Sequence, residues 1–237
     1  NASSYAIRVQ AKDEFNATVE GSFRVLLLNV HEGAPNDYRG VNISSLDLSG
    51  QDLSTALFDN TTVFSSLVNG YRVGANLLAT NAKLTGLSLQ LTDFRGVNLA
   101  GVDLSNCILT IPLTSNSTSN QISEIAAVFD GTTIFSGIHP VTGDRVSANL
   151  SNFTGNGATL TGSYPGTDFR GVNLAGVDLS ESDLSQSTFD HTTIFSMVNP
   201  ATGQSVGANL NGSNAQLDNL SFGSADFRGT KLAGVNF

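Results

Sequence analysis

The chain has 237 residues, of which only 13% are charged, and its formal net charge is −9. This acidic balance disfavours a nonspecific nucleic-acid binder and a protein of anionic membrane surfaces, because both need basic surfaces. The single cysteine excludes a disulfide within the chain.

The first 37 residues predict a β-hairpin followed by a linker. Residues 5–13 and 22–30 alternate apolar and polar side chains with a period of two, and a polar stretch separates them. With the linker that ends at Pro35, about residues 5–35 resemble the last two strands and exit of a cadherin-like module. Such modules bind Ca²⁺ at their junctions, and the positions that match here are Asp13, Asn29 and Glu32.

From Tyr38 onwards, a large apolar residue recurs at every fifth position, usually directly after Asp or Asn. Neither a helix nor a half-buried strand has this period. A coil of short β segments has it, because each segment turns a corner and sends one large side chain inward. The predicted inward residues are Tyr38, Ile43, Leu48, Leu53, Phe58, Val63, Phe94, Leu99, Leu104, Leu109, Phe129, Ile134, Phe169, Leu174, Leu179, Leu184, Phe222, Phe227, Leu232 and Phe237.

The residue two positions before each large apolar residue is predicted to face inward as well. This second set comprises Val41, Leu46, Ala56, Val97, Val102, Cys107, Val172 and Val177. The cysteine in this set is therefore interpreted as a small buried hydrophobic residue rather than a reactive thiol.

Position by position, residues 38–237 resemble the pentapeptide-repeat family. The resemblance implies a right-handed quadrilateral β-helix with four quintets in each coil. The predicted fold is therefore all-β: a β-helical solenoid with protruding loops, preceded by a β-hairpin or partial cadherin-like β-sandwich segment at residues 1–37.

A longer repeat divides the solenoid into three tandem copies and the start of a fourth, at about residues 39–94, 95–169, 170–227 and 228–237. Each complete copy contains Phe-Asp-x-Thr-Thr-Val/Ile-Phe-Ser and then a loop rich in turn residues that ends in Ala-Asn-Leu. These loops are predicted to stand off the coil, either from one face or stepping around it. Residues 110–126 add a lateral excursion with one helical turn.

No motif in the chain predicts catalysis. His31, His139 and His191 are isolated from one another and from any nucleophile motif. The aspartates before inward residues, which include Asp47, Asp52, Asp103, Asp178 and Asp183, predict a solvated acidic face rather than rows of Ca²⁺ ligands. We therefore predict that the chain is not an enzyme and has no catalytic, cofactor-binding or metal residues, with Ca²⁺ near Asp13, Asn29 and Glu32 as the minor alternative.

These features favour a structural or adhesive segment of a larger secreted or cell-surface protein, extracellular and bacterial. In this interpretation a stiff rod presents loops to protein partners or associates with itself end to end, without nucleic-acid binding or membrane insertion. The alternative is an acidic pentapeptide protein that mimics DNA and regulates DNA gyrase or another topoisomerase. Members of the family that protect gyrase from quinolones are acidic rods of this kind. Those members usually dimerise through a C-terminal helical cap and have no cadherin-like neighbour. This chain shows no such cap and has the cadherin-like segment, and both differences favour the adhesive interpretation.

Overall fold

The computed structural model describes residues 3–12, 18–27, 36–112, 124–218, 220–223 and 225–237. They belong to two compact units, Asn1–Asp37 and Tyr38–Phe237. No α-helix occurs in these ranges, and none of their segments has the helical length and hydropathy needed to cross a membrane. The predicted Ca²⁺ ligands Asp13, Asn29 and Glu32 lie outside the described residues, and so do residues 113–123 of the excursion at 110–126 for which one helical turn was predicted.

The first unit contains one antiparallel hairpin. Strands β1 (Ser3–Lys12) and β2 (Thr18–Leu27) pair from Ser3 opposite Leu27 to Lys12 opposite Thr18. The alternating pattern of the sequence therefore does form two paired strands. The cadherin-like assignment of this segment stays a prediction.

The second unit is a coil with four faces. Its parallel bridges join residues one coil apart, as between Lys83 and Asp103 or between Asp168 and Thr188. Because each bridged residue precedes an inward side chain, the bridges define four rows along the exterior. Row 1 contains Asn42–Val63 and Asp93–Val128; row 2 contains Asp47–Asn76–Asn98–Ile134; row 3 contains Lys83–Asp103–Asn149–Asn173–Ile194; and row 4 contains Ser88–Ile108 and Thr159–Asp178–Asn209–Lys231. Most of these contacts are isolated bridges, so the faces are not continuous sheets.

The interior of the coil is a column of the predicted apolar residues. Leu99, Leu104 and Leu179 are fully buried, and so are members of the second set such as Val97 and Cys107. Aromatic rings continue the column, from the stacked pair Tyr38 and Phe58 at 5.2 Å to Phe195 and Phe227 at 5.1 Å. The five-residue period thus identified most of the core correctly.

The prediction that Val63 and Ile134 face inward is wrong. Both are exposed, by 39% and 45%, whereas the next residues, Phe64 and Phe135, are buried. The cause lies in the preceding corner, where the hydroxyl of Thr133 donates a hydrogen bond to the backbone carbonyl of Phe94 at 3.0 Å. This buried threonine occupies the inner position two before the aromatic residue, so the corner holds one residue more than a quintet does. The same bond joins Thr62 to Tyr38 and Thr193 to Phe169.

Short antiparallel hairpins interrupt the coil. The first pairs β3 (Ser65–Val68) with β4 (Tyr71–Gly74), and the lateral excursion begins and ends with β5 (Thr110–Pro112) and β6 (Glu124–Ala126). The next pairs β7 (Ser136–Ile138) with β8 (Arg145–Ser147). Within the coil, β9 (Thr159–Ser163) and β10 (Asp178–Asp183) are parallel neighbours with a bulge. The last hairpin pairs β11 (Ser196–Val198) with β12 (Ser205–Gly207).

The four excursions leave from four different corners. β3–β4 lies between rows 1 and 2, and β7–β8 lies between rows 2 and 3. β11–β12 lies between rows 3 and 4, and β5–β6 fills the remaining corner between rows 4 and 1. The repeated loops therefore step around the coil, because nine inward residues separate one hairpin from the next, one more than two complete coils. Between the first two hairpins these are Leu77, Leu84, Leu89, Phe94, Leu99, Leu104, Leu109, Phe129 and Phe135.

Candidate functional site

The exterior rows hold their carboxylates in fixed orientations. In Asp47 and Asp103, Oδ1 accepts the backbone N–H of the residue two positions later, Ser49 at 3.1 Å and Ser105 at 2.9 Å. Asn98 accepts the N–H of Ala100 in the same way, at 3.2 Å. Asp and Asn therefore serve the same structural purpose at these positions, and only the charge differs.

Hydrogen bonding also keeps the carboxylates of Asp47 and Asp183 ionised. The side chain and backbone N–H of Ser49 hold the pKa of Asp47 below its ordinary value. The backbone N–H and side chain of Ser185 do the same for the pKa of Asp183. Hydrogen bonds to the charged form lower a carboxyl pKa, so these groups are negative at neutral pH.

The negative charge is spread around the coil rather than stacked on one face. Residues 38–237 contain fifteen acidic and eight basic side chains. Row 3 places Lys83 before Asp103 and then continues with Asn149, so carboxylates do not follow one another along it. No group of three or more His, Cys, Asp or Glu side chains that could hold a metal ion occurs in the described part of the chain.

Arginines concentrate at the bases of the hairpins. Arg72 of β4 and Arg95 of the next coil both lie 2.7 Å from Oδ2 of Asp93. Arg145 of β8 and Arg170 repeat this arrangement a quarter turn further around the coil, each 2.8 Å from Oδ2 of Asp168. We call these two arrangements the ionic clusters; each one ties a hairpin to the coil above it.

The third hairpin has a reduced version of this contact. Ser205 stands where Arg72 and Arg145 stand in the first two hairpins, so Asp226 contacts Arg228 at 2.7 Å without an arginine from the hairpin. The side chain of Arg228 is 70% exposed, about twice the exposure of its two counterparts.

The ionic clusters control the ionisation of their aspartates. Burial by itself raises the pKa of Asp93, but the hydrogen bonds and charge of Arg95 and the charge of Arg72 outweigh it and lower the pKa. Burial also raises the pKa of Asp168, and Arg170 and Arg145 outweigh it and lower this pKa in the same way. At Asp226 the side-chain and backbone hydrogen bonds from Arg228 lower the pKa to about 2.

The second hairpin does not stand off the coil as predicted but lies against it. A Cβ added at Gly137 would lie 2.9 Å from Cδ1 of Leu78 and 3.3 Å from Cβ of Ala100, both in the coils below. At the tip, the ring of Pro140 reaches the corner at Gly50, where an added Cβ would lie 3.6 Å from it. This hairpin therefore covers the corner between rows 2 and 3 over the three coils that contain Gly50, Leu78 and Ala100.

The first two hairpins carry large exposed apolar side chains. Tyr71 is 78% exposed and Leu67 is 64% exposed on the first hairpin, and Val141 is 85% exposed on the second. The third hairpin presents smaller side chains in its loop 199–204, which consists of Asn, Pro, Ala, Thr, Gly and Gln.

The remaining residues singled out from the sequence have structural surroundings. Nδ1 of His139 accepts the backbone N–H groups of Val141 at 3.1 Å and Thr142 at 3.3 Å, which shapes the second tip. His191 is exposed at a corner. Cys107 is buried, its thiol donates to the carbonyl of Leu84 at 2.9 Å, and burial raises its pKa to about 12.

The family model for pentapeptide repeats matches eight copies, at residues 74–110 and 165–194. The chain contains pentapeptide repeats. This confirms that part of the prediction made from the sequence, whereas the match does not extend to the hairpin at residues 3–27. No curated protein matches the chain.

Three solved structures of QnrB1, a plasmid-mediated fluoroquinolone resistance protein, are similar to this chain. Two trypsin-treated variant forms have 18% and 19% identity, cover 85% and 86% of this chain and 86% of their own, and have TM-scores of 0.26. The full-length form has 17% identity, covers 84% of this chain and 80% of its own, and has a TM-score of 0.23.

These matches correct three predictions made from the sequence. The proteins found are antibiotic-resistance proteins, not adhesive surface proteins. The predicted structural or adhesive function is therefore wrong, and so are the predicted adhesive and self-associating partners and the extracellular or cell-surface location. All three predictions relied on the cadherin-like resemblance, which places the coil beside an extracellular module.

Proposed function

We propose that this chain is an acidic DNA mimic that binds a topoisomerase of the DNA gyrase type and occupies the surface that holds duplex DNA. With this we propose that the four-faced coil is the right-handed quadrilateral β-helix of pentapeptide proteins. The protein acts by binding, without catalysis or a cofactor. The observation that carries the proposal is the set of ionised carboxylates fixed on a regular β coil.

Fixed carboxylates suit this function because of what a DNA-binding surface recognises. Such a surface is lined with Lys and Arg spaced for the phosphates of a duplex. Asp47, Asp103 and Asp183 present negative charge from a backbone of regular rise, and their hydrogen bonds prevent the side chains from turning away. Complementary charges speed association and set specificity for the basic partner.

The arginines do not cancel this surface. Five of them are engaged with only three aspartates, at the ionic clusters and at Asp226. The clusters therefore leave most of the carboxylates of residues 38–237 to define the exterior. A basic enzyme surface would meet negative charge on every side of the coil.

The test is inhibition of gyrase supercoiling by the purified chain, compared with a variant carrying Asp47→Asn, Asp52→Asn and Asp103→Asn. Asparagine occupies the same position elsewhere in the rows, so the variant keeps the turns and loses three charges. We expect the wild-type chain to inhibit, and the variant to need about tenfold more protein, since three weak ion pairs of about 0.5 kcal/mol sum to about 1.5 kcal/mol and about 1.4 kcal/mol is a factor of ten.

The matched control adds a charge at an equivalent position. Asn42 is exposed in row 1, and its Oδ1 accepts the N–H of Ser44, so Asn42→Asp keeps the same turn. This variant should inhibit at least as well as the wild type. No inhibition by the wild-type chain would refute the function, and equal inhibition by all three proteins would refute the electrostatic mimicry.

A further inference from the structure

The positions of the hairpins restrict how a partner can approach the coil. From one hairpin to the next, the chain passes nine faces, which is two coils and one face more. Each hairpin is therefore turned by a quarter turn and raised by about 11 Å, at a spacing of about 4.8 Å between coils. As a result β3–β4 and β11–β12 lie on opposite corners, with β7–β8 between them.

Each of these hairpins is held in place by the coil above it. The hydroxyl of Ser65 donates to the carbonyl of Arg95 at 2.6 Å, and the hydroxyl of Ser196 donates to the carbonyl of Arg228. Gly74 and Gly207 have no room for a side chain against the backbone at Gly96 and at Thr230. Because the bases of the hairpins are already ordered, binding through them carries a small entropic cost.

The tips offer contacts of the kind that partners use. Tyrosine is enriched among the residues that dominate binding energy, and Tyr71 extends from the first hairpin with 78% of its surface exposed. Val141 extends from the second hairpin in the same way. A flat partner placed on one face of the coil would reach the tips at that face and leave the opposite corner in solvent.

We infer that the partner receives the coil in a basic cleft and contacts the hairpins on opposite corners at the same time. This inference rests on the proposed function. An enzyme that acts on duplex DNA must hold a cylinder of negative charge, and the carboxylates of this coil lie on all four rows. A cleft complements that distribution of charge, whereas a flat basic patch would meet only one or two of the rows.

The chain is suited to a test by thiol labelling. Its single native cysteine, Cys107, is buried, so the wild-type protein serves as the unlabelled control. Tyr71→Cys, Val141→Cys and Ala201→Cys would place one reactive thiol on each of the three hairpin tips. The rate of maleimide labelling is measured for each variant, alone and with gyrase holoenzyme at about ten times its dissociation constant.

We expect gyrase to slow labelling about tenfold at all three tips, since about nine-tenths of the chain is then bound. A variant that folds with the wild-type melting temperature but loses binding also supports the contact, because its only change is at the tip. Retained binding with protection of one tip, or of two adjacent tips, would overturn the cleft. Failure of the wild-type chain to bind gyrase would instead overturn the proposed function on which the inference rests.

Discussion

At the scale of single residues, one threonine decides which apolar side chain enters the core. In Thr133-Ile134-Phe135, the isoleucine and the phenylalanine are both apolar, and a strict count of five selects the isoleucine. The buried hydroxyl of Thr133 bonds to the coil below and shifts the inner position by one residue. Hydrogen bonding of a polar residue thus overrides the hydrophobic period at this corner.

Substitutions at Phe135 and Ile134 distinguish the two registers. Phe135→Ala should lower the free energy of unfolding by about 3–5 kcal/mol, since it opens a cavity in the ring column. Ile134→Ala should stay within about 0.5 kcal/mol, as surface substitutions do. Urea unfolding of both variants measures the difference, and a reversed order would support the five-residue count instead.

The ionic clusters give the second residue-scale prediction, which concerns pH. The pKa values of Asp93 and Asp168 are lowered in the folded chain, so their contribution to stability is complete above the ordinary aspartate pKa of about 3.9 and is lost as the pH falls through the folded values. The wild type should therefore lose stability as the pH falls below about 4.

The double variant Asp93→Asn, Asp168→Asn should be less stable at neutral pH and should lose less on acidification over the same range. Urea unfolding at several pH values tests this, with Asn42→Asp as a control for the general effect of a changed charge. Parallel pH profiles for the wild type and the double variant would mean that the clusters do not contribute.

At the scale of elements, the three hairpins share one design with one difference. β4 and β8 each supply an arginine to an aspartate of the next coil, and β12 supplies Ser205 at that place. The outward stretch of a hairpin has few buried apolar contacts, so these side-chain contacts govern how often it opens. The third hairpin should consequently be the most mobile of the three.

Ser205→Arg should restore the missing contact to Asp226. We expect slower amide hydrogen exchange in residues 196–207 of the variant, with exchange in β3–β4 unchanged. Arg72→Ser is the converse change and should speed exchange in β3–β4 alone. Equal exchange rates in the wild-type third hairpin and the first two would contradict a role for the arginines in holding the hairpins.

At the scale of the whole molecule, the sequence predicted the coil but not the arrangement of the hairpins on it. A period of five is specific enough to place residues such as Leu99 and Leu179 inside, because no other regular structure repeats in this way. The quarter turn between hairpins could be predicted from the sequence. It follows from the count of nine inward residues in each copy, provided that Phe135 rather than Ile134 is counted after the corner at Thr133. The position of Pro140 over the corner at Gly50 could not be predicted, because it depends on how β7–β8 folds back over three coils. The surface charge likewise does not identify a partner from the sequence alone.

The quarter turn has a physical reason that a deletion can test. Because β7–β8 lies down over the corner below it, that corner must be free of another hairpin. Deleting residues 100–104 removes one quintet, so that Leu109 follows Leu99 at the normal spacing of five residues. Eight faces then separate the first two hairpins, and β7–β8 lies directly above β3–β4. We expect this variant to melt well below one that lacks residues 45–49, which also loses one quintet but keeps the nine faces. Replacing β3–β4 by an ordinary quintet corner should then recover much of the stability of the first variant, because the collision is removed. Equal melting temperatures for the two deletions, or no recovery, would show that the hairpins do not constrain one another.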